Sequence, residues 1–329
     1  MTERSSIAVV CGGVGAARFL GGLIDAVDDR SLTADSITAV VNTGDDCTLH
    51  GLSISPDLDT ITYTLAGAID PERGWGLVDE TWRAMESLER FEAVRPEGSA
   101  AAPRWFNLGD RDLATHFYRT ARLAEGATLT EVTDEIRRAW SIPIDMVPMS
   151  NDRLSTMVTI IEPDGSHREI SFQDYFVRLR HGVPVASIRF DGGAELSGPS
   201  RLALTGATSV VIAPSNPLVS IGPIRSLAGV DELLAERRDR VVAISPIVGG
   251  AALKGPADRM LVELGHEPSV VGVARLYSPI ASTLVIDTVD APHAAEIEAT
   301  GMRCVITDTV MSTPQVARQL ALDTLAALP

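Results

Sequence analysis

Cysteine is scarce in this sequence, with three residues in 329 (Cys11, Cys47 and Cys304) and no Cys-x-x-Cys pair among them. That excludes a disulfide scaffold and leads us to expect a reduced, cytoplasmic chain. Histidine is nearly as sparse: six residues lie scattered along the chain, and only His116 sits inside a polar cluster. There is no His-Glu-x-x-His, no Gly-x-Ser-x-Gly, no Cys/His cluster and no kinase signature, so zinc chemistry and nucleophilic triads are disfavoured. No run approaches the ~18 apolar residues of a membrane span. The apolar stretch Ile7–Val10, behind Met-Thr-Glu-Arg-Ser-Ser, is too short for a secretory leader. Positive charge is in short supply as well: 28 basic against 44 acidic residues give 28 − 44 = −16. Such a surface repels phosphate backbones, so nucleic acid is not an expected partner. An anionic ligand would have to be received by a local cation or by backbone amides.

What the chain does have is apolar material, 45% of residues against 22% charged, enough for a full core. At ~150 residues per domain, the length fits one large domain or a domain carrying an insertion. Short β-branched runs recur at Ile7–Val10, Ile37–Asn42, Met157–Ile161, Ser209–Ala213, Arg240–Ser245, Thr283–Asp287 and Cys304–Thr307. Several are apolar throughout, as in strands covered on both faces. Helical patterns at Ala17–Val27, Ala257–Leu264, Ala294–Ala299 and Pro314–Leu328 alternate with them. The fold class is therefore α/β, a doubly wound, mostly parallel Rossmann-like sheet. Residues 70–145 hold all four tryptophans and helical patterns at Glu80–Phe91 and Leu129–Trp140. After them, Met157–Ile161, Pro163-Asp-Gly165 and Arg168–Ser171 predict a hairpin turned by Asp-Gly. We expect residues 1–69 and 205–329 to form the core, and 70–204 to be an α-rich insertion with a small β excursion.

Seven segments carry candidate chemistry. Cys11-Gly-Gly-Val-Gly15 follows the first strand and opens a helix, where glycines let backbone N–H groups approach a phosphate. Gly12, Gly13 and Gly15 are its candidates, although the same glycines also suit a tight turn; the segment is neither a full Gly-x-Gly-x-x-Gly nor a Walker A loop. Asn42-Thr-Gly-Asp-Asp46 ends the second strand, and Ser55-Pro-Asp-Leu-Asp-Thr60 follows nine residues later. Asp45, Asp46, Asp57 and Asp59 thus offer hard oxygen ligands for Mg²⁺. Asp57 and Asp59 would equally serve as turn or N-cap residues for a helix over Thr60–Ala68. Leu108-Gly-Asp-Arg-Asp-Leu-Ala-Thr-His116 places His116 four residues past Asp112, on one helix face. Met149-Ser-Asn-Asp-Arg153 is a small polar loop behind a strand-like stretch. Two further loops, Ala213–Pro223 and Ser245–Pro256, carry hydroxyl and amide groups such as Ser215 and Asn216 where a ligand would sit, and Lys254 there suits a phosphate contact or equally an ordinary surface position.

Together these segments resemble the 2-phospho-lactate transferase family of deazaflavin coenzyme biosynthesis. Gly12-Gly-Val-Gly15, Asn42–Asp46, Ser55–Thr60, Gly74-Trp-Gly76, Leu108–His116, Pro148–Asp152, Pro214–Pro217, Ser220–Pro223 and Gly255-Pro-Ala257 occur in family order. The likeness is greatest to the actinobacterial branch that transfers a phosphoenolpyruvyl group. It implies that the ribityl hydroxyl of a deazaflavin attacks the β-phosphorus of enolpyruvyl- or lactyl-diphosphoguanosine and releases GMP. It further implies Asp45 and Asp46 on metal or on activation of the hydroxyl, and Asp45, Asp57 and Asp59 as the Mg²⁺ set. Asp59 and Asn107 would also face the deazaflavin, which the insertion would help to hold. Gly12, Gly13 and Gly15 would cradle the diphosphate, with Ser215, Asn216 and Lys254 on the nucleotide. A homodimer is what the family suggests. Val14 stands where the family usually has threonine, removing one hydroxyl from the loop. Two other readings compete: a non-catalytic nucleotide-sugar-binding regulator of the same fold, and a nicotinamide-dependent oxidoreductase.

Overall fold

The computed structural model describes residues 6–27, 32–97, 99, 101, 103 and 105–329. Of the six residues that argued against a leader, only Ser6 is among them. Among the described residues fourteen strands run in chain order as β1 (Ile7–Cys11), β2 (Ile37–Val41), β3 (Cys47–Leu49), β4 (Leu52–Ile54), β5 (Asp145–Pro148), β6 (Ser155–Ile161), β7 (His167–Ser171), β8 (Val185–Asp191), β9 (Ser209–Ile212), β10 (Val241–Ile244), β11 (Ile247–Val248), β12 (Ala251–Ala252), β13 (Thr283–Asp287) and β14 (Arg303–Thr307). The helices are α1 (Gly13–Val27), α2 (Pro56–Leu65), α3 (Arg83–Glu92), α4 (Asp112–Ala124), α5 (Leu129–Ala139), α6 (Gly198–Gly206), α7 (Gly222–Arg225), α8 (Val230–Glu236), α9 (Ala257–Glu263), α10 (Val270–Tyr277), α11 (Ala294–Glu298) and α12 (Pro314–Ala327).

Seven strands form one parallel sheet in the order β14-β13-β10-β9-β1-β2-β5. Side chains alternate across it, so β1 sends Ala8 and Val10 to one core and Ile7, Val9 and Cys11 to the other. Phe19, Leu20 and Leu23 of α1 and Leu320 of α12 seal one face. Leu204 of α6, Leu234 of α8 and Val273 of α10 seal the other. Each such side chain contributes ~1.5–3 kcal/mol on burial, and coverage of both faces is why these strands read as unbroken apolar runs. Among the described residues no helix is long and apolar enough to cross a membrane.

The 70–204 insertion needs one correction. Its strand β5 pairs in parallel with β2 and forms the edge of the central sheet, so the excursion comes in two pieces on either side of it. Asp145 and Pro148 bracket only Met146 and Val147, too short an apolar run to stand out, and a proline is tolerated at an edge. The first piece, with α3, α4 and α5, packs a small core of Leu49, Ile54, Met85 and Leu108. The second is a three-stranded antiparallel sheet, β7-β6-β8, whose β6–β7 pairing is the expected hairpin. Its third strand, β8, has no counterpart in the sequence reading, because Ser187, Arg189 and Asp191 interrupt the apolar pattern on the exposed side.

Candidate active site

The order of the sheet reverses between β1 and β9: β2 and β5 extend it on one side of β1, while β9, β10, β13 and β14 extend it on the other. Open α/β sheets bind ligands at such a switch point, beyond the carboxyl ends of the strands. Here the two loops are fastened together. Gly12 N donates to Ser215 Oγ at 3.3 Å, and Ser215 Oγ donates to Gly12 O at 2.8 Å. Gly12 has no room for a side chain, since a Cβ there would lie 2.4 Å from Asp57 Oδ2. Gly13 takes φ +76, a backbone conformation open to glycine, and begins α1. Gly15 is held against the chain rather than left open to a ligand, because its Cβ would meet Pro214 O at 2.4 Å.

Four aspartates expected as a cluster are drawn together, but they fall into two environments. Asn42, directly after β2, donates from Nδ2 to Asp57 Oδ2 at 2.9 Å and accepts from Gly44 N at 2.9 Å. That fixes the turn that presents Asp45 and Asp46. Asp57 and Asp59 lie inside the first turn of α2, which starts at Pro56 rather than Thr60; neither is the N-cap. Burial and a neighbouring Asp57 and Asp46 push the Asp45 carboxyl well above the usual range. Burial likewise pushes Asp46 up to about 8 and Asp57 to about 6. Ser55 Oγ donates to Asp46 Oδ2 at 2.6 Å, while Asp45 Oδ1 and Asp46 Oδ1 are buried without any hydrogen-bond partner. Thr43 Oγ1 beside them is equally unsatisfied. Buried polar atoms without partners are rare, so three in one turn single it out as a candidate site rather than ordinary packing.

Asp59 belongs elsewhere. Its two oxygens face Arg119, a side chain only 2% exposed, with Nη1 3.1 Å from Oδ2 and Nη2 in a still closer contact with Oδ1. In this structure Asp59 is thus engaged by Arg119, unlike the carboxylates of the turn: a buried carboxylate takes the nearest buried cation first. Arg119 lies on the α4 face that carries Asp112 and His116. His116 Nε2 is 3.2 Å from Asp112 Oδ2 without forming a hydrogen bond, and Tyr63 OH donates to Asp112 Oδ1 at 2.5 Å. Sequence reasoning missed Arg119 although its spacing of three from His116 and seven from Asp112 was a usable signal.

The remaining expected residues are more dispersed. In the Leu108–His116 motif, Asp110 accepts from Arg83 N and Ala84 N, while Glu80 accepts from Arg111 N and Asp112 N. These reciprocal caps explain Gly109, whose Cβ would fall 2.1 Å from the Glu80 carboxyl carbon. Asn107 is exposed ahead of them and takes no part in the aspartate cluster's hydrogen bonds. Ser215 spends its hydroxyl on Gly12, so it latches two loops rather than offering a free group to a nucleotide. Asn216 Oδ1 accepts from Leu218 N at 2.9 Å and likewise shapes its own loop. Lys254, the one lysine of the chain, is exposed, with Nζ against the Gly74-Trp75-Gly76 turn. Among the described residues, no group of three or more His, Cys, Asp or Glu side chains is arranged to hold a metal ion.

The family profile described as 2-phospho-L-lactate transferase CofD matches residues 7–322. The chain belongs to the CofD family. Its relatives include proteins named phosphoenolpyruvate transferase from Streptomyces griseus, 43% identical across 95% of this chain and 96% of that one, and from Mycobacterium avium, 39% identical across 96% and 98%. In solved structures, the fold is that of a UPF0052-family protein from Bacillus halodurans, with a TM-score of 0.60 at 14% identity, over 99% of this chain and 100% of that one. CofD membership supports a transferase activity and leaves the nicotinamide reading without support.

Proposed function

We propose that this CofD-family chain transfers a phosphoenolpyruvyl group, or alternatively a phospholactyl group, from the corresponding guanosine diphosphate ester to the ribityl hydroxyl of a deazaflavin. The reading rests on one observation above all: buried carboxylates with unpartnered oxygens stand beside a glycine turn at the switch point of the sheet. In a protein of charge −16, these carboxylates call for a cation before a diphosphate can approach. Mg²⁺ fits them, because it commonly takes one or two protein carboxylates and completes its shell with phosphate oxygens and water. A set of three protein ligands is then not required. Asp45 and Asp57 would hold it, and it would supply charge neutralisation of the diphosphate.

The chain's own groups account for the rest. The open first-turn N–H groups of α1, just past the Gly12–Gly13 turn, would receive the diphosphate. Asp46, with its raised pKa and free Oδ1, takes the proton of the attacking hydroxyl. A bond forms from the ribityl oxygen to the β-phosphorus, the bond from that phosphorus to the bridging oxygen breaks, and GMP departs. No enzyme-bound intermediate is needed.

Purified protein incubated with the deazaflavin precursor, Mg²⁺ and enolpyruvyl-diphosphoguanosine should yield GMP and the phosphorylated deazaflavin by mass spectrometry. EDTA should abolish the product, and Asp45→Asn should reduce turnover by roughly 100-fold or more. Tight binding of a nucleotide with no turnover of either the enolpyruvyl or the lactyl donor would instead support the regulator reading.

A further inference from the structure

A small cleft of about 160 Å³ opens beside the aspartate turn, on the side of β2 away from the glycine loop. The β3–β4 hairpin, α4, the start of α5 and the loop after β5 enclose it, and Asp46 is shared between it and the carboxylate cluster. Its volume is about half the lower limit of pockets that hold drug-sized molecules, so a three-ring deazaflavin does not fit in it. A three-carbon acid does.

The lining has the donors that an acid needs. Arg119 lies at the floor, and Arg153 is exposed at the rim. Among the described residues Arg153 forms no ion pair, and its one hydrogen bond is a long one, Nε to Ser155 Oγ at 3.4 Å. Asn151 uses its Oδ1 on Thr130 N and Oγ1, which leaves its amide N–H groups for another acceptor. Thr43 Oγ1 is buried there without a partner. Asp152, also on the rim, is occupied with Glu195 N at 3.3 Å. The proposed donor has two anionic parts, a diphosphate and the carboxylate of its acyl group, and the glycine turn accounts only for the first. A planar guanidinium matches a carboxylate through two parallel hydrogen bonds.

We propose that this cleft receives the carboxylate-bearing three-carbon group of the donor and that Arg153 binds its carboxylate. The inference rests on the transferase reading above and deepens it. It is tested by calorimetric binding of two ligands, enolpyruvyl-diphosphoguanosine and the β-ethyl ester of GDP, which lacks the carboxylate. Arg153→Ala should weaken the first by roughly 10-fold or more and leave the second within about twofold, with Arg153→Lys falling between. In turnover, the loss should appear in the donor KM rather than in kcat. Equal weakening of both ligands, or of neither, overturns the assignment while leaving the transferase reading intact. A rise in KM for the deazaflavin alone overturns it too, and gives the cleft to the acceptor. If the unaltered protein binds neither ligand, the transferase reading itself fails.

Discussion

Asp59 and Arg119 illustrate what a single residue's environment decides. Both are buried, and burial acts against the Arg119 charge, yet the facing carboxylate outweighs it and keeps its pKa raised. Removing the guanidinium alone would strand a carboxylate beside Asp46 and Asp57. Arg119→Met should therefore cost about 3–5 kcal/mol by urea unfolding, while the pair Arg119→Met with Asp59→Leu should recover most of that loss. An Arg119→Met protein as stable as the parent would show that the pair does not form. This partnership was not legible in the sequence, because it joins positions 60 apart. Asp45, Asp46 and Asp57 were legible, since two short segments next to one strand end carry them all. Their division from Asp59 was not, because it depends on which way α4 is rolled.

At the scale of elements, α1 and α12 meet through a glycine. A Cβ on Gly22 would lie 2.3 Å from Ala317 O, a backbone atom that cannot swing aside. Gly22→Ala should lower stability by about 1–3 kcal/mol in the same assay, despite alanine's better helix propensity; a neutral or stabilising result would mean that the helices are not so close. The end of β13 gives a pH-dependent case. Asp287 Oδ2 accepts from Thr309 N at 2.8 Å and Oγ1 at 3.0 Å, and Oδ1 accepts from Val289 N at 3.1 Å. Burial opposes the charge, but these donors win and hold the pKa below its usual value. A depressed carboxylate stabilises the fold above its unfolded pKa of ~3.9 and loses that contribution as pH falls through the folded value. Asp287→Asn should cost about 1–3 kcal/mol at pH 7, where an amide N–H would face a donor, and the deficit should shrink below about pH 4. A deficit that does not change with pH would sink the account. All seven strands named from the sequence are present in the structure. β5 and β8 were hidden by short length and by polar residues on an exposed face.

For the whole molecule, the acidity and the site are linked. On the proposed reading, a chain of net charge −16 would admit a diphosphate only through a cation at its aspartates, not through its general field. The homodimer that the family resemblance implies is a proposal of the same scale; light scattering should give twice the chain mass, and a single chain mass at working concentration would reject it. The sheet order has a consequence for how the protein is made. β1, near the middle of the sheet, pairs with β2 about 30 residues later, but its other neighbour, β9, lies about 200 residues further on. At 5–20 residues per second, a ribosome needs roughly 10–40 s between the two. For that interval one edge of a wholly buried, apolar strand has no partner, and the nascent chain must be shielded until the second half of the sheet arrives.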